Sequence, residues 1–310
     1  MIKGRYILSI DGNKIGEYQN SITNDGMSII RSYLANPNIE WCGAISIGSL
    51  NSTPSSASNT GMDFELIKSP IILRSVQNSD IILKAVIDAD IECEIYELGV
   101  YPSVFNSTSN GYDDRLIINF DEDWYDSTTF IEISAGNYSS ISRVGSRSLS
   151  ITQSSLDFSA DLIFDVSGYS SLDNISFLYN ITSAGSDRTI TITLVDDQLP
   201  TAGSKSYELV VPGNTTGYNK ISVPLGNFVE SNNFNSNITK ISISTLEDLS
   251  AAELTIDAIR IDDADENDPN FSLVSRSLIG TAGGSSNSDF VKKPLGVEVD
   301  IEYRVEISSI

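Results

Sequence analysis

From Val299 to Ile307 the chain alternates strictly between apolar and charged residues. Val299, Ile301, Tyr303, Val305 and Ile307 fall on one side; Asp300, Glu302, Arg304 and Glu306 fall on the other. A period of two predicts an antiparallel strand with one buried face. "TITITLV" (Thr189 to Val195) repeats the pattern, with Ile190, Ile192 and Leu194 against threonines. "SYELVV", "KISVPL", "TKISIST" and "LTIDAIRI" follow at short spacing, punctuated by Gly, Pro, Asn and Asp. Such spacing predicts a β-sandwich. One stretch breaks the pattern. In "SITNDGMSIIRSYLANPN", Met27, Ile30, Arg31 and Leu34 recur at helical spacing. Thr23 or Asn24 caps the start and Asn36-Pro37 stops it. Gly26 weakens that helix on propensity alone.

The order of elements suggests a divided domain. The first hundred residues give strands and a helix, ending in "IYELGVYP" (Ile95 to Pro102). A sandwich-like block follows, then the acidic break "DDADENDPN" (Asp262 to Asn270), then one more alternating strand. A tail of about 40 residues is too short to bury its own apolar face. It is expected to return to the first domain. Residues 1–104 and 271–310 are therefore read as one discontinuous domain and 105–270 as an insertion. The fold class expected is mostly β: a β-rich domain with one short helix, carrying an antiparallel jelly-roll sandwich.

Composition narrows the chemistry. With 19 basic and 42 acidic residues the net charge is −23, which disfavours nucleic acid and anionic membranes as partners. There is no histidine, which removes Ser-His-Asp and Cys-His catalysis and histidine-bound zinc. Carboxylate-only chemistry such as glycoside hydrolysis stays open. Cys42 and Cys93 give no disulfide framework, and buried free thiols are expected. The start, "MIKGRYILSIDGNK", lacks the apolar core of a signal peptide. Many Asn-x-Ser/Thr triplets, among them those at Asn51, Asn137 and Asn214, are read as a consequence of an Asn/Ser/Thr-rich composition.

Glu97 poses the first question about function. It sits inside an apolar, strand-like stretch. As a catalyst it needs a second acid about 5–10 Å away across a cleft. As a structural group it needs backbone N–H donors or an arginine to offset burial. Arg31, Arg74 and Arg304 are the candidate partners, and Gly99 after it suggests a close backbone approach. The structural role is the one expected.

Two resemblances follow from ordered sets of short motifs. "NSITNDGMSIIRSYL", "GAISIGS", "DFELIKSPI", "ECEIYELGVY" and "KKPLGVEVDIEYRVEI" resemble a recurring domain of bacteriophage virion structural proteins of tail, baseplate and fibre attachment. That resemblance implies an assembling role without catalysis, other virion proteins as partners, a homo-oligomer, and location in the particle after synthesis in the host cytoplasm. The insertion opens "LIINFDEDW" and runs through "RVGSRSLSI", "LIFDVSGYSSLDNISFLYNI", "YELVVPGNTTGYNKISVPLGNF" and "LTIDAIRIDD". It resembles the jelly-roll of carbohydrate-binding modules. This implies a structural calcium near Asp257, with Asp121, Glu122 and Asp123 as opening-side ligands.

Asp257 also has a reading of its own. It is taken to share a strand face with Ile259 and Ile261, so it needs either a cation or backbone hydrogen bonds, and both readings stand. Asp262, Asp263 and Asp265 read as a solvated linker. Sugar contact would need aromatic faces flanked by polar groups. Trp124 and Tyr218 are the candidate glycan contacts, with Tyr218 placed in a turn; Tyr125 is a further aromatic, and Tyr207 fits the core. Three functions are expected to compete: a virion component whose jelly-roll touches host-surface glycans, a purely structural virion spacer, and a glycoside hydrolase or depolymerase.

Overall fold

The computed structural model describes residues 2–36, 41–102, 116–118, 130–132, 137–151, 156–167, 169–197, 202–214, 216–232, 234, 237–247, 249, 253–262, 272–284 and 289–307. The fold is mostly β, with one α-helix among the described residues, Asn24–Ala35. The chain divides into two compact units. One takes Met1–Asp113 and Asp265–Ile310; the other takes Asp114–Ala264. No helix among the described residues is long and apolar enough to cross a membrane.

The first unit, the base, holds two five-stranded antiparallel sheets. One runs in the order Asn13–Gln19, Ile2–Ile10, Val299–Ile307, Asp80–Ile87, Leu73–Gln77. The terminal strand thus lies at its centre, bonded to Ile2–Ile10 and Asp80–Ile87. Its alternation explains the placement: Val299, Ile301, Tyr303 and Val305 are buried. Their charged neighbours face outward, where Lys84 meets Glu302 at 3.0 Å. The second sheet runs Ser21–Ile22, Ser275–Leu278, Glu97–Tyr101, Ala44–Gly48, Glu65–Pro70. Every residue of Glu97–Tyr101 and of Ala44–Gly48 is buried, so both faces of this sheet are covered. Tyr6 of the first sheet ties the two together. Its ring lies 4.7 Å from that of Tyr303, and its hydroxyl is 2.7 Å from Ser275 Oγ.

The helix begins as expected at Thr23, whose side chain accepts the Gly26 N–H at 2.8 Å, and ends at the Asn36 cap. Its buried face differs from the expected one. Gly26, Ile29 and Ile30 are buried, while Leu34 is 71 % exposed. Gly26 supplies the reason. A Cβ there would stand 2.0 Å from the Val274 carbonyl oxygen, so this face presses on the 273–275 backbone and turns Leu34 outward.

The second unit is an antiparallel sandwich. One sheet runs Asn137–Ser139, Ser148–Ser150, Leu254–Asp262, Asn174–Ile181, Gly217–Pro224, with Leu116–Ile118 also bonded to Leu254–Asp262. The other runs Phe130–Glu132, Leu156–Asp165, Asn237–Thr245, Arg188–Asp196, Gly203–Val211, Val229–Asn232. Between them lies one apolar cluster. Phe177, Ile256 and Ile259 come from the first sheet; Ile192, Leu194 and Ile243 come from the second. Tyr207 packs against this core beside Phe228, at 5.6 Å between rings, as its company with Leu209 and Val211 predicts.

A substitution at Gly26 tests the helix docking. Alanine raises helix propensity by about 1 kcal/mol. The clash is with backbone, which cannot rotate away, so overpacking should win. Gly26→Ala is expected to lower the stability of the base by about 1–3 kcal/mol in chemical denaturation.

Candidate functional site

Glu97 is 0 % exposed. Its Oε1 accepts the Phe64 N–H at 2.9 Å and its Oε2 accepts the Asp63 N–H at 3.1 Å. The cation beside it is Arg276, not Arg31, Arg74 or Arg304. Arg276 Nε donates to Glu97 Oε2 at 2.9 Å, and Nη2 lies 2.7 Å from the same oxygen and 2.8 Å from Asp63 Oδ2. Nη1 donates to Thr53 Oγ1 at 2.7 Å. Register explains the choice: Arg276 stands opposite Gly99 on the adjacent strand, two residues from Glu97 on the same face. Arg74 instead donates to the Cys42 carbonyl at 2.9 Å, and Arg304 pairs with Glu302.

The segment from Asn51 to Phe64 is strapped over this face through the same groups. Thr53 donates its N–H and its hydroxyl to Asp63, and the Ser55 hydroxyl donates to the Arg276 carbonyl at 2.8 Å. Met62 covers Gly99, where a Cβ would come within 2.7 Å of its sulfur. That is the close approach that Gly99 suggested. Beside the clasp, Lys68 meets Glu65 at 3.4 Å and lies 4.1 Å above the Tyr101 ring. Burial pushes the Glu97 carboxyl up to about 7, against the pull of Arg276. The two carboxylates on Arg276 form an acid pair, yet their side chains are 0 and 9 % exposed. Both are bonded to the same guanidinium, which is the structural role expected of Glu97.

In the sandwich, Asp257 is also 0 % exposed, but not on the face expected. The register shifts between Phe177 and Leu178: Phe177 pairs with Ile259, while Leu178 pairs with Asp257. Ala258 occupies the bulge with φ of 48°. An extra residue there turns Asp257 to the side opposite Ile259 and Ile261. Its Oδ2 accepts the N–H groups of Arg143 at 2.7 Å and Val144 at 3.1 Å. These contacts are the backbone-bonded alternative for this residue. Asp121, Glu122, Asp123, Trp124 and Tyr125 lie outside the described residues, as do Asp263 and Asp265. Among the described residues no group of three or more His, Cys, Asp or Glu side chains is arranged to hold a metal.

The bonds to Asp257 anchor a roof. Residues 141–144 are held against this sheet at Asp257 and Tyr218, and Asn180 and Thr255 beside them are buried. At the far edge Tyr218 closes it. Its hydroxyl donates to the Ile141 carbonyl at 2.8 Å, and the Arg143 guanidinium lies 4.6 Å from its ring centre. Tyr218 belongs to the strand Gly217–Pro224, paired with Asn180, and not to a turn. It is half-buried, two residues from the half-buried Lys220 on the same strand.

The outer face of the other sheet is of a different kind. Thr191 and Thr193 stand opposite Ser244 and Ser242, and Thr193 also stands opposite Ser206. All are half-exposed, with Lys240 bonded to Asp157 at 2.7 Å at one side. These positions carry hydroxyls, with the exposed Glu208 opposite Thr191 and no aromatic ring among them.

The chain matches no protein-family model and no curated protein sequence. Solved structures give distant likenesses. A family 11 carbohydrate-binding module from Clostridium thermocellum, in complex with a β-1,3-1,4-mixed-linked tetrasaccharide, shares 13 % identity over 48 % of this chain and 95 % of that one, at a TM-score of 0.31. A family 30 module of a cellulosomal cellulase of the same organism shares 12 % over 59 % and 99 %, at 0.30. The infectious bursal disease virus VP2 subviral particle shares 10 % over 99 % and 81 %, at 0.23. With TM-scores this far below one-half, these likenesses fix neither ligand nor function.

Removing the carboxylate tests the clasp. Glu97→Ala leaves Arg276 with Asp63 and Thr53, and the Asp63 and Phe64 N–H groups without their acceptor. A loss of about 3–5 kcal/mol is expected. Protonation gives a second reading. Because the folded carboxyl is raised from 4.5 to about 7, the folded state holds its proton more tightly. Its contribution to stability is full below pH 4.5 and is lost as pH rises through 7. The stability of the wild type relative to Glu97→Gln should therefore fall across that window, measured by denaturation at a series of pH values.

Proposed function

We propose that the chain is a non-catalytic virion structural protein: the base serves assembly in a bacteriophage particle, and the sandwich is presented to contact host-surface glycans. The observation that carries this reading is the division into two compact units. The sandwich has its own closed core. The base takes residues from both sides of the sandwich in the chain, and the buried Glu97–Arg276 pair joins them. A separately folded module suits contact with an external surface, and many copies in one particle make weak contacts useful. The ordered virion-type motifs of the base and the module-like motifs of the insertion support the same reading.

On the described surface the glycan contact is assigned to Tyr218. Its partly exposed ring offers an apolar face for a pyranose, and Lys220 beside it offers a polar flank for the hydroxyls. Arg143 and the Ile141 carbonyl fix the ring, so little side-chain freedom is lost on binding. Trp124 is the second contact in this proposal. A structural calcium held by Asp257 with Asp121 and Asp123 would have to share Asp257 with the two amide N–H groups that already point at its Oδ2.

A second reading, the protein-binding spacer, is favoured by the hydroxyl-rich positions of the other sheet, Thr191, Thr193, Ser206, Ser242 and Ser244, which carry no aromatic ring for a sugar to stack on.

A host-envelope glycan array separates the two. Tyr218→Ala is expected to weaken binding about tenfold or more, the scale of one lost stacking contact, with Trp124→Ala acting in the same direction. Tyr218→Phe keeps the stack and should retain most of the binding. A flat array from protein that is nonetheless found in washed particles supports the spacer and ends the glycan reading. The hydrogen bonds to Asp257 predict an unchanged melting midpoint on adding a chelator; a drop of several degrees would establish the cation.

A further inference from the structure

The strand Leu73–Gln77 lies at the edge of a base sheet, and all five of its residues are exposed. It pairs with Asp80–Ile87 on one side, a ladder that Ile72 extends with its N–H on the Lys84 carbonyl at 2.8 Å. No strand among the described residues pairs with its other side. The tight turn at Asn78 and Ser79, both at positive φ, holds it extended. An edge of this kind presents unmet backbone donors and acceptors to any strand that approaches.

Natural sheets usually guard such edges with charge, proline or a bulge. The opposite edge of the same sheet is guarded. Asn13–Gln19 carries Lys14 bonded to Glu17, and a register shift interrupts its pairing with Ile2–Ile10. Leu73–Gln77 is not guarded. Ile72 is 65 % exposed, Leu73 46 % and Val76 75 %. Its one charge, Arg74, is turned back onto the Cys42 carbonyl.

Charge points to the occupant. The chain carries −23, so two copies repel over most of their surface. From Leu66 to Ser79, however, there is no Asp or Glu. Two copies can meet along this edge without opposing carboxylates. The edge is also self-complementary. A two-fold axis normal to the sheet through Ser75 sets Ser75 against Ser75, Leu73 against Gln77, and Arg74 against Val76. No like charges face each other directly, and each exposed Val76 gains the aliphatic stem of Arg74 from the second copy. The pairing is antiparallel, as is every other ladder in this sheet.

We propose that this edge is a homodimer interface, in which the Leu73–Gln77 strands of two copies pair about Ser75 and join the two base sheets into one. The proposal goes beyond the glycan reading and does not depend on it, since it concerns the base alone.

Sedimentation equilibrium of the full chain tests it. The wild type is expected to form a dimer at micromolar concentration. Val76→Glu, exposed and thus harmless to the fold by circular dichroism, should weaken the dimer at least tenfold. Ser75→Cys should give a disulfide-linked dimer on mild oxidation, because both native cysteines are buried. A wild type that stays monomeric, a dimer indifferent to Val76→Glu, or a Ser75→Cys chain that does not cross-link would each overturn the interface. Capture of an unrelated acidic strand by monomeric protein would also overturn it.

Discussion

A guanidinium without exposed surface has to be neutralised where it lies, and at Arg276 the chain does so with groups from two other segments, the strap and the strand Glu97–Tyr101. Glu97, Asp63 and Thr53 converge on it, and Glu97 in turn takes up two backbone N–H groups of the strap. Buried ion pairs add little net stability over an apolar packing, because desolvation offsets the attraction. Breaking one is nevertheless costly, so the cluster strongly disfavours alternative arrangements. The pair brings together residues 179 apart in sequence. The whole sandwich lies between them along the chain, so the clasp forms only when the late strand Ser275–Leu278 has docked beside Glu97–Tyr101.

The same constraint, a buried charge that must be bonded, recurs in the sandwich with a different solution. The bulge at Ala258 carries Asp257 away from the apolar core and toward a roof whose amide groups it accepts. The roof ends on Tyr218, so one carboxylate and one phenol hold residues 141–144 against the sheet. A face that is closed in this way offers a ligand its rim and not its centre. The rim is where the aromatic ring with polar neighbours lies.

Much of the architecture was legible in the residues. The alternation of Val299–Ile307 and Thr189–Val195 fixes which side chains are buried, because a period of two leaves a strand a single way to hide its apolar residues. Thr23 was legible as a cap, and Tyr207 as a core residue. Other features were not. Arg276 sits in "LVSRSLIG", a short strand whose mixed pattern gives no sign that a cation is buried, and its partner is distant in sequence. A bulge leaves little trace in composition, so simple alternation puts Asp257 on the wrong face. On the helix, spacing alone favoured Leu34, whereas the backbone approach that Gly26 permits selects Ile29 and Ile30. Long-range register decides each of these, and local periodicity carries no information about it.

The proposed function divides the labour: assembly falls to the base and ligand contact to the sandwich. Hydrogen–deuterium exchange of the full chain, with and without a host-envelope glycan mixture, tests it most directly. The account predicts added protection confined to the sandwich, centred on the strand Gly217–Pro224 and the 141–144 roof, with the base unchanged. Protection of the base around the Asn51–Phe64 strap, or protection nowhere in the chain, would contradict it.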